Sequence, residues 1–352
     1  IEGGRSRTGK LREPRLGLLA YVTESYQRGI VDDVVLVPVS IQYDQITDVG
    51  SYAAEQRGVE KESESLLWAL RFIMGLRRRH GSIHIRFGQP LPLSERIGRD
   101  DDLASDEGKL ALPRVAFEVS TRINDATPIT TTGLVTLALL SRGDRGFTLA
   151  ETIETLEPFL DYVQERGFPT TFGDGFTSPD EVEAALEDLH ANGVVKRIDG
   201  LTEVVYTIGP DEHLEAAYYR NTIIHFFITT GIAELAATQA LIHGIPVTEE
   251  VILERAFAMR DLLKFEFFFA SRKEFTDEIM AEIDRFRAGD GHIDSIHDID
   301  VDSVAPAKSP VVLRPFLEAY YVVARALSSF ADDPVTSDDL ATAALRMGEQ
   351  LW

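Results

Sequence analysis

Apolar residues recur at every third or fourth position through most of the chain after residue 112. This spacing places them on one face of a helix, and a chain with many such segments buries those faces by packing helices together. We therefore predict a mainly α-helical region with one β-hairpin, in which residues 194–198 and 204–208 turn through Asp199 and Gly200. The helices are expected at residues 113–126, 132–141, 149–167, 179–192, 212–243, 248–270, 272–288, 311–330 and 337–350.

The first 99 residues have a different pattern, in which β-branched and helical segments alternate. Val34–Ile41 is a β-branched run typical of a strand buried on both faces, although Pro38 inside it favours an edge or a bulge. Ile83–Phe87 alternates as a half-exposed strand does. Helices are expected after Pro14 and over Leu66–Arg79. We predict an α/β domain at residues 1–99, a linker at 100–112 and a helical domain with one hairpin at 113–352.

The formal net charge is −23, and it is unevenly distributed. Residues 1–99 carry 15 Lys and Arg against 12 Asp and Glu, whereas the remainder carries 20 against 46. The basic N-terminal end favours an anionic ligand, and the acidic remainder disfavours nucleic acid as a partner. The absence of cysteine excludes disulfides, thiolate metal sites and cysteine nucleophiles. No run of 18 apolar residues occurs, so no transmembrane helix is expected.

A glycine-rich basic loop opens the chain, with three glycines and two arginines in residues 2–10. Glycine lets the backbone approach a ligand closely, and the planar guanidinium of arginine binds phosphate oxygens in a bidentate manner. We interpret the segment as a phosphate-binding loop, the alternative being a solvated basic loop. Gly4, Gly9 and Lys10 also have the spacing of a nucleotide-binding P-loop. Leu11 stands where that motif needs Ser or Thr for magnesium, which disfavours it.

The same segment, IEGGRSRTGKL, resembles the third conserved sequence block of the bacterial-type glycerol-3-phosphate acyltransferase family. Further segments are similar to the family in the same order along nearly the whole chain. They are VPVSIQYD at 37–44, SYAAEQRGVEKESESLLWALR at 51–71, IHIRFGQPLPL at 83–93, YYRN at 218–221 with His225, and LRPFLEAYY at 313–321. The resemblance implies the C-terminal half of an α/β acyltransferase domain, followed by a mainly helical domain.

For the site, the resemblance implies that the third block binds the phosphate and hydroxyls of glycerol 3-phosphate. The residues that carry this role are Glu2, Gly3, Arg5, Ser6 and Arg7. Arg5 and Arg7 would neutralise the phosphate. Ser6 would donate a hydrogen bond to it, and Glu2 would orient a hydroxyl or an arginine. Pro38 of the fourth block would lie at the wall of the acyl or catalytic pocket.

The resemblance also implies an activity: transfer of a fatty acyl group from acyl-CoA or acyl carrier protein to the 1-hydroxyl of glycerol 3-phosphate in phospholipid synthesis. No metal or organic cofactor is implied. The family's catalytic H-x-x-x-x-D pair precedes the third block, so it is expected upstream of Ile1 and the chain alone is expected to be inactive. His297 and Asp302 match this spacing, but they lie downstream in an acidic segment and are rejected.

Two alternatives to this activity stay open. One is the acylation of dihydroxyacetone phosphate, which uses related motifs. The other is a non-enzymatic helical interaction module. Residues 178–208 are similar to the second half of a winged helix, a fold that often binds DNA. Residues 147–211 carry only 3 Lys and Arg against 14 Asp and Glu, so a structural or protein-docking role is favoured over DNA binding.

Arg77, Arg78 and Arg79 are the candidate contact with a membrane surface, an acyl carrier or the phosphates of coenzyme A, because three adjacent charges cannot all be buried. The resemblance places the enzyme at the cytoplasmic face of the cell membrane as a peripheral protein. Four phenylalanines could also contact lipid, but core packing is the preferred interpretation. They are Phe265, Phe267, Phe268 and Phe269.

Overall fold

A computed structural model describes residues 6–46, 49–57, 81–106, 108–143, 145–172, 178–200, 203–288, 308–330 and 334–351. Within these ranges the protein has twelve α-helices and six short β-strands, so it is mostly helical with a few small sheets. The strands form three two-stranded antiparallel sheets. The chain divides into two compact units, residues 1–227 with 265–275 and residues 228–264 with 276–352. The domain limits predicted from the sequence stay a prediction.

The first unit begins with short elements. They are α1 (Gly17–Gln27), β1 (Val35–Leu36), β2 (Val39–Tyr43), α2 (Val49–Gln56), β3 (Ile83–Phe87), β4 (Leu91–Pro92) and α3 (Ala111–Ala126). Of these, α1, β1, β4 and α3 pack around one apolar cluster. The helical spacing after Pro14 is confirmed, since Leu19, Thr23 and Tyr26 are the buried residues of α1. Leu19 and Tyr26 share the cluster with Leu91. This cluster fixes α1, which directly follows the basic loop.

The β-branched run at Val34–Ile41 does not form one strand buried on both faces, so that prediction is wrong. Pro38 has no backbone N–H and interrupts the run, and β1 pairs with β4 whereas β2 pairs with β3. Burial alternates along β2: Ser40 and Gln42 are buried, while the apolar residues between them face the other way and are exposed. The strand predicted at Ile83–Phe87 is confirmed as β3.

The remainder of the first unit has the element order of a winged helix. Its elements are α4 (Thr131–Leu139), α5 (Leu149–Arg166), α6 (Pro179–Ala191), β5 (Lys196–Asp199), β6 (Val204–Thr207) and α7 (His213–Ile223). Phe147 and Tyr206 exchange backbone hydrogen bonds of 2.8 Å in both directions, so a single antiparallel bridge joins Phe147 to the edge of the hairpin. One apolar cluster joins α4, α6 and the hairpin to Tyr219 of α7. The predicted helix and two-stranded wing are confirmed.

Helix α5 shows how local sequence sets the ends of an element. Thr148 Oγ1 accepts a hydrogen bond from the backbone N–H of Glu151 at 3.2 Å, and the Glu151 carboxylate accepts from the Thr148 N–H at 2.9 Å. This reciprocal pair satisfies two N–H groups that the helix leaves free. Gly167, with φ +62°, ends the helix in the left-handed conformation that glycine adopts without strain.

The second unit contains most of α8 (His225–Ile242), together with α9 (Glu249–Leu263), α10 (Arg272–Ala288), α11 (Ser309–Ser328) and α12 (Ser337–Leu351). Its core holds a buried ion pair, in which Lys308 Nζ lies 3.3 Å from Glu234 Oε1. The backbone N–H of Lys308 donates to the other carboxylate oxygen at 2.9 Å. A Cβ on Gly231 would lie 2.6 Å from Val312, so glycine allows α8 and α11 to pack closely.

Two predicted helices have wrong bounds. The helix expected at residues 212–243 is broken at Ile224 into α7 and α8, and no polar face on α8 marked the break in the sequence. The helix expected at residues 248–270 ends at Leu263. Beyond it, the alternate residues Phe267 and Phe269 are buried with the period of an extended chain, so core packing is confirmed for these two, whereas Phe265 is exposed.

No single helix in the described ranges has both the length and the hydropathy to cross a membrane. One pair of consecutive segments in these ranges has the required length and hydropathy only when the two are taken together. The pair consists of the 3₁₀ turn at 210–212 with α7, and of α8, and the chain bends by 87° at the break at Ile224. The expected helix at Leu66–Arg79 lies outside the described residues.

Candidate functional site

A cavity of about 710 Å³ lies within the first unit. Parts of the chain that are far apart in sequence form its wall: the basic loop, strand β2, the end of α3, helix α7 and the segment Glu266–Phe268. The loop, Glu266 and the buried side chains of Ser40 and Gln42 on β2 contribute polar groups, whereas the phenylalanines contribute apolar ones. A cavity with both kinds of surface suits a ligand that has a polar end and an apolar end.

The basic loop is closed by its own hydrogen bonds. Ser6 Oγ donates to the carbonyl oxygen of Lys10 at 2.6 Å, and the Lys10 N–H donates to Thr8 Oγ1 at 3.4 Å. The Lys10 ammonium pairs with the carboxylate of Glu266 and lies 5.4 Å from the ring centroid of Phe267. Lys10 is therefore a fixed cationic part of the cavity wall.

Helix α7 contacts this loop at Thr8 and Gly9. The side-chain N–H₂ of Asn221 donates to the carbonyl oxygen of Thr8 at 2.7 Å. Gly9 has φ +81°, and a Cβ there would lie 2.0 Å from the carbonyl oxygen of Tyr218. Only glycine fits at that position. The loop and the first residues of the YYRN segment are thus in direct contact.

The same helix also holds strand β2. Gln42 Nε2 donates to Thr222 Oγ1 at 2.9 Å, and the Ile46 N–H donates to the Tyr219 hydroxyl at 3.0 Å. Burial raises the pKa of Tyr219 to about 12, so the hydroxyl stays neutral. Because α7 contacts both the loop and the strand, it fixes the distance between these two parts of the cavity wall.

His225 is a neutral side chain at the cavity wall. Its Nε2 lies 3.1 Å from the carbonyl oxygen of Asn124, so Nε2 carries the proton and donates it. Burial lowers the pKa of His225 from 6.5 to about 4, and this hydrogen bond acts in the opposite direction. The interpretation of His225 as a hydrogen-bonded core histidine is confirmed, although the ring also lines the cavity.

The predicted phosphate-binding residues fall partly within the described chain. Ser6 lines the cavity, and its hydroxyl is bonded within the loop. Arg7 is mostly exposed and pairs with Glu55 of α2. Glu2, Gly3 and Arg5 lie outside the described residues. The role of all five in binding phosphate stays a prediction.

Pro38 is buried between β1 and β2, where its carbonyl oxygen accepts a hydrogen bond from Gly88 at 2.8 Å. Its neighbour Val39 lines the cavity. The role predicted for Pro38 at a pocket wall stays a prediction. Arg77–Arg79, proposed for membrane or acyl-carrier contact, lie outside the described residues, as do His297 and Asp302.

Several cavity residues were not predicted from the sequence. Lys10 was weighed only as part of a P-loop, and Asn221 and His225 were assigned no ligand role. Asn124 and Thr127, at the end of α3, carry no motif at all. The described residues hold no group of three or more His, Asp or Glu side chains arranged to bind a metal ion.

Comparison with known proteins gives a consistent picture. Residues 52–352 match the family described as the glycerol-3-phosphate acyltransferase C-terminal region. The acyltransferases plsB1 of Mycobacterium tuberculosis and Mycobacterium bovis are each 35% identical over 359 aligned residues, which cover 99% of this chain and 57% of the relative. A glycerol-3-phosphate acyltransferase of Glaesserella parasuis is 28% identical over 293 residues, 78% of this chain and 34% of the relative. The chain thus spans little more than half the length of the first of these relatives.

Proposed function

Because this chain belongs to the glycerol-3-phosphate acyltransferase family, we propose that it supplies the glycerol-3-phosphate-binding part of a longer enzyme. The enzyme transfers a fatty acyl group from acyl-CoA or acyl carrier protein to the 1-hydroxyl of glycerol 3-phosphate. The upstream H-x-x-x-x-D histidine takes the hydroxyl proton as the oxygen attacks the thioester carbonyl. The carbon–sulfur bond then breaks, the departing thiolate takes that proton from the histidine, and acylglycerol phosphate is the product.

The observation that carries this proposal is the position of the basic loop at the wall of a large cavity. Ser6 and Lys10 line that wall, and Arg7 leaves the loop with most of its side chain in solvent. A phosphate bound to the loop would contact the exposed Arg7 side chain, the Lys10 ammonium and backbone N–H groups of the loop. The apolar part of the cavity, at Ile46, Ile123 and Phe267, suits the acyl group.

The test is an acyl-transfer assay on the longer protein. Replacing Arg7 by Ala removes one charge-assisted hydrogen bond worth about 1.5–3 kcal/mol, so the KM for glycerol 3-phosphate should rise about ten- to hundredfold. Arg28→Ala is the matched control, because Arg28 is also exposed and paired with a glutamate, but it lies at the C-terminal end of α1, away from the loop. An equal KM for Arg7→Ala and wild type would contradict the assignment. Higher turnover with dihydroxyacetone phosphate would favour that acceptor instead.

The four strands β1–β4 belong, in this proposal, to an α/β acyltransferase domain that an upstream segment of the longer protein completes. The support is a sheet with its apolar side outward. Cross-strand pairs of β2 and β3 place six apolar side chains on the face opposite the buried Ser40 and Gln42. They are Val39, Ile41, Tyr43, Ile83, Ile85 and Phe87, all exposed. A contiguous apolar face of this kind marks an interface.

Ile85→Lys in the longer protein tests this completion. If upstream residues cover the face, the buried charge should lower the midpoint of thermal unfolding strongly. Ile198→Lys is the control, since Ile198 also lies in a two-stranded sheet and is 54% exposed against 57% for Ile85. Equal midpoints for the two variants would show that the face stays open to solvent.

The enzyme is also proposed to act at the cytoplasmic face of the membrane as a peripheral protein, with Arg77–Arg79 as the contact. The support is the sequence alone, since adjacent arginines favour anionic lipid. Replacing the three arginines by glutamine should reduce sedimentation of the longer protein with vesicles of anionic lipid, whereas neutral vesicles should show no difference. Unchanged sedimentation would show that these three arginines are not the membrane contact.

A further inference from the structure

Asn221 connects a buried arginine to the basic loop. Arg220 is only 7% exposed, and its Nε and Nη2 both donate to Asn221 Oδ1, at 3.1 and 2.9 Å. An amide whose oxygen is held by a guanidinium must direct its N–H₂ group the other way. That group donates to the carbonyl oxygen of Thr8. The orientation of Asn221, and with it the hold on the loop, is therefore set by Arg220.

Orienting an amide with the buried guanidinium of Arg220 costs free energy, because the charge is largely removed from water. Among the described residues no carboxylate pairs with Arg220 and no neighbouring charge acts on it, and burial lowers its pKa to about 10. A buried cation without a counter-charge is unfavourable unless something compensates it. A neutral donor could hold Asn221 without this cost. A dianionic ligand on the adjoining loop would supply the missing negative charge.

We propose that Arg220 and Asn221 are positioning residues for the phosphate of the substrate: Asn221 fixes the basic loop at Thr8, and Arg220 fixes Asn221 and adds positive charge behind the loop. This inference rests on the proposed function of the loop. It assigns a role to the YYRN segment, which a hydrogen bond joins to the loop across 213 residues of sequence.

The decisive variant is Asn221→Asp in the longer protein. Aspartate gives Arg220 a carboxylate partner, so thermal stability should be equal to or higher than that of wild type. The same change removes the donor to Thr8 and cancels the positive charge. The KM for glycerol 3-phosphate should therefore rise tenfold or more, while the KM for acyl-CoA stays within twofold. Asn192→Asp is the matched control, because the Asn192 amide also donates a hydrogen bond, in its case to the side chain of Gln45, away from the loop.

Arg220→Lys separates charge from geometry. Lysine keeps the positive charge but cannot donate from two positions of a planar fork. A partial rise in the KM for glycerol 3-phosphate, smaller than that of Asn221→Asp, is expected. If the KM values for both substrates rise together and follow the loss of thermal stability, Asn221 and Arg220 only support the fold, and the proposal is overturned.

The proposed function is tested separately by direct binding. Glycerol 3-phosphate should raise the unfolding midpoint of the wild-type longer protein, and Asn221→Asp should reduce that rise. No rise for wild type, together with no acyl transfer, would reject the proposed function itself. A rise that is equal in wild type and Asn221→Asp would leave the proposed function standing and overturn only the role of Asn221.

Discussion

Gly9 and Tyr218 are in backbone contact so close that a Cβ on Gly9 would lie 2.0 Å from the Tyr218 carbonyl oxygen. The positive φ of Gly9 adds conformational strain for any other residue. Gly9→Ala should therefore displace the loop from α7. A misplacement of about 1 Å at a binding loop is expected to lower kcat/KM on the order of a hundredfold, measured with glycerol 3-phosphate as the varied substrate.

The control for this variant is Gly167→Ala at the end of α5. Gly167 has a similar positive φ, but nothing lies within 4 Å of its added Cβ. Gly167→Ala should lower the unfolding free energy by about 1 kcal/mol, because alanine is strained at this positive φ, and it should leave kcat/KM unchanged. Equal kinetic effects of the two variants would mean that the contact with Tyr218 does not hold the loop.

His225 should make stability depend on pH. Its pKa is lowered to about 4 in the folded chain from the ordinary 6.5, so the unfolded state binds the proton more readily. The stabilisation is complete above pH 6.5 and is lost as pH falls from 6.5 towards 4, by about 3 kcal/mol in all. Urea denaturation at pH 7 and pH 5 measures about half of this loss, because the remainder falls below pH 5.

His225→Gln isolates the histidine from the many carboxylates that also titrate. Glutamine can keep a donor towards the Asn124 carbonyl, but it does not ionise. The difference in unfolding free energy between wild type and His225→Gln should shrink or reverse between pH 7 and pH 5. A difference that is independent of pH would show that His225 is not held neutral by burial.

The basic loop and the YYRN segment were each recognised in the sequence, but the contact between them was not predicted. Residues 2–10 carry glycines and arginines in a pattern with a physical meaning, and residues 218–221 were noted only through a family resemblance. A hydrogen bond between Thr8 and Asn221 leaves no trace in periodicity or spacing, because it depends on how helices pack. Sequence reasoning therefore found the loop and missed the residue that holds it.

Secondary structure was predicted well where one face of an element is polar, as in α1 and α5. It failed where that contrast is absent. Helix α8 is mainly apolar and its few polar residues do not form one face, so its boundary at Ile224 gave no signal. On β2, the apolar residues face outward and the polar ones inward, the reverse of the usual pattern for a strand at a surface. The β-branched composition therefore predicted a strand correctly, but it wrongly predicted that the apolar side chains of this strand are buried.

Tyr219→Phe should loosen strand β2. The variant leaves the Ile46 N–H without its acceptor, which is expected to cost about 1–2 kcal/mol of unfolding free energy. Tyr26→Phe is the control: Tyr26 is also buried, and its hydroxyl has no hydrogen bond among the described residues, so its loss should cost less. Chemical denaturation of both variants measures the difference, and equal losses would contradict a supporting role for the Tyr219 hydroxyl.

In the second unit, Glu234 and Lys308 should be strongly coupled. Glu234→Gln keeps an acceptor for the Lys308 backbone N–H but leaves the buried ammonium without its carboxylate, an expected loss of about 3–5 kcal/mol. Adding Lys308→Met removes that charge and should recover most of the loss, since an apolar side chain of similar length suits the site. A double-mutant cycle by urea denaturation gives the coupling energy. Additive losses would show that the two charges are stabilised independently, by other neighbours in the core of the second unit.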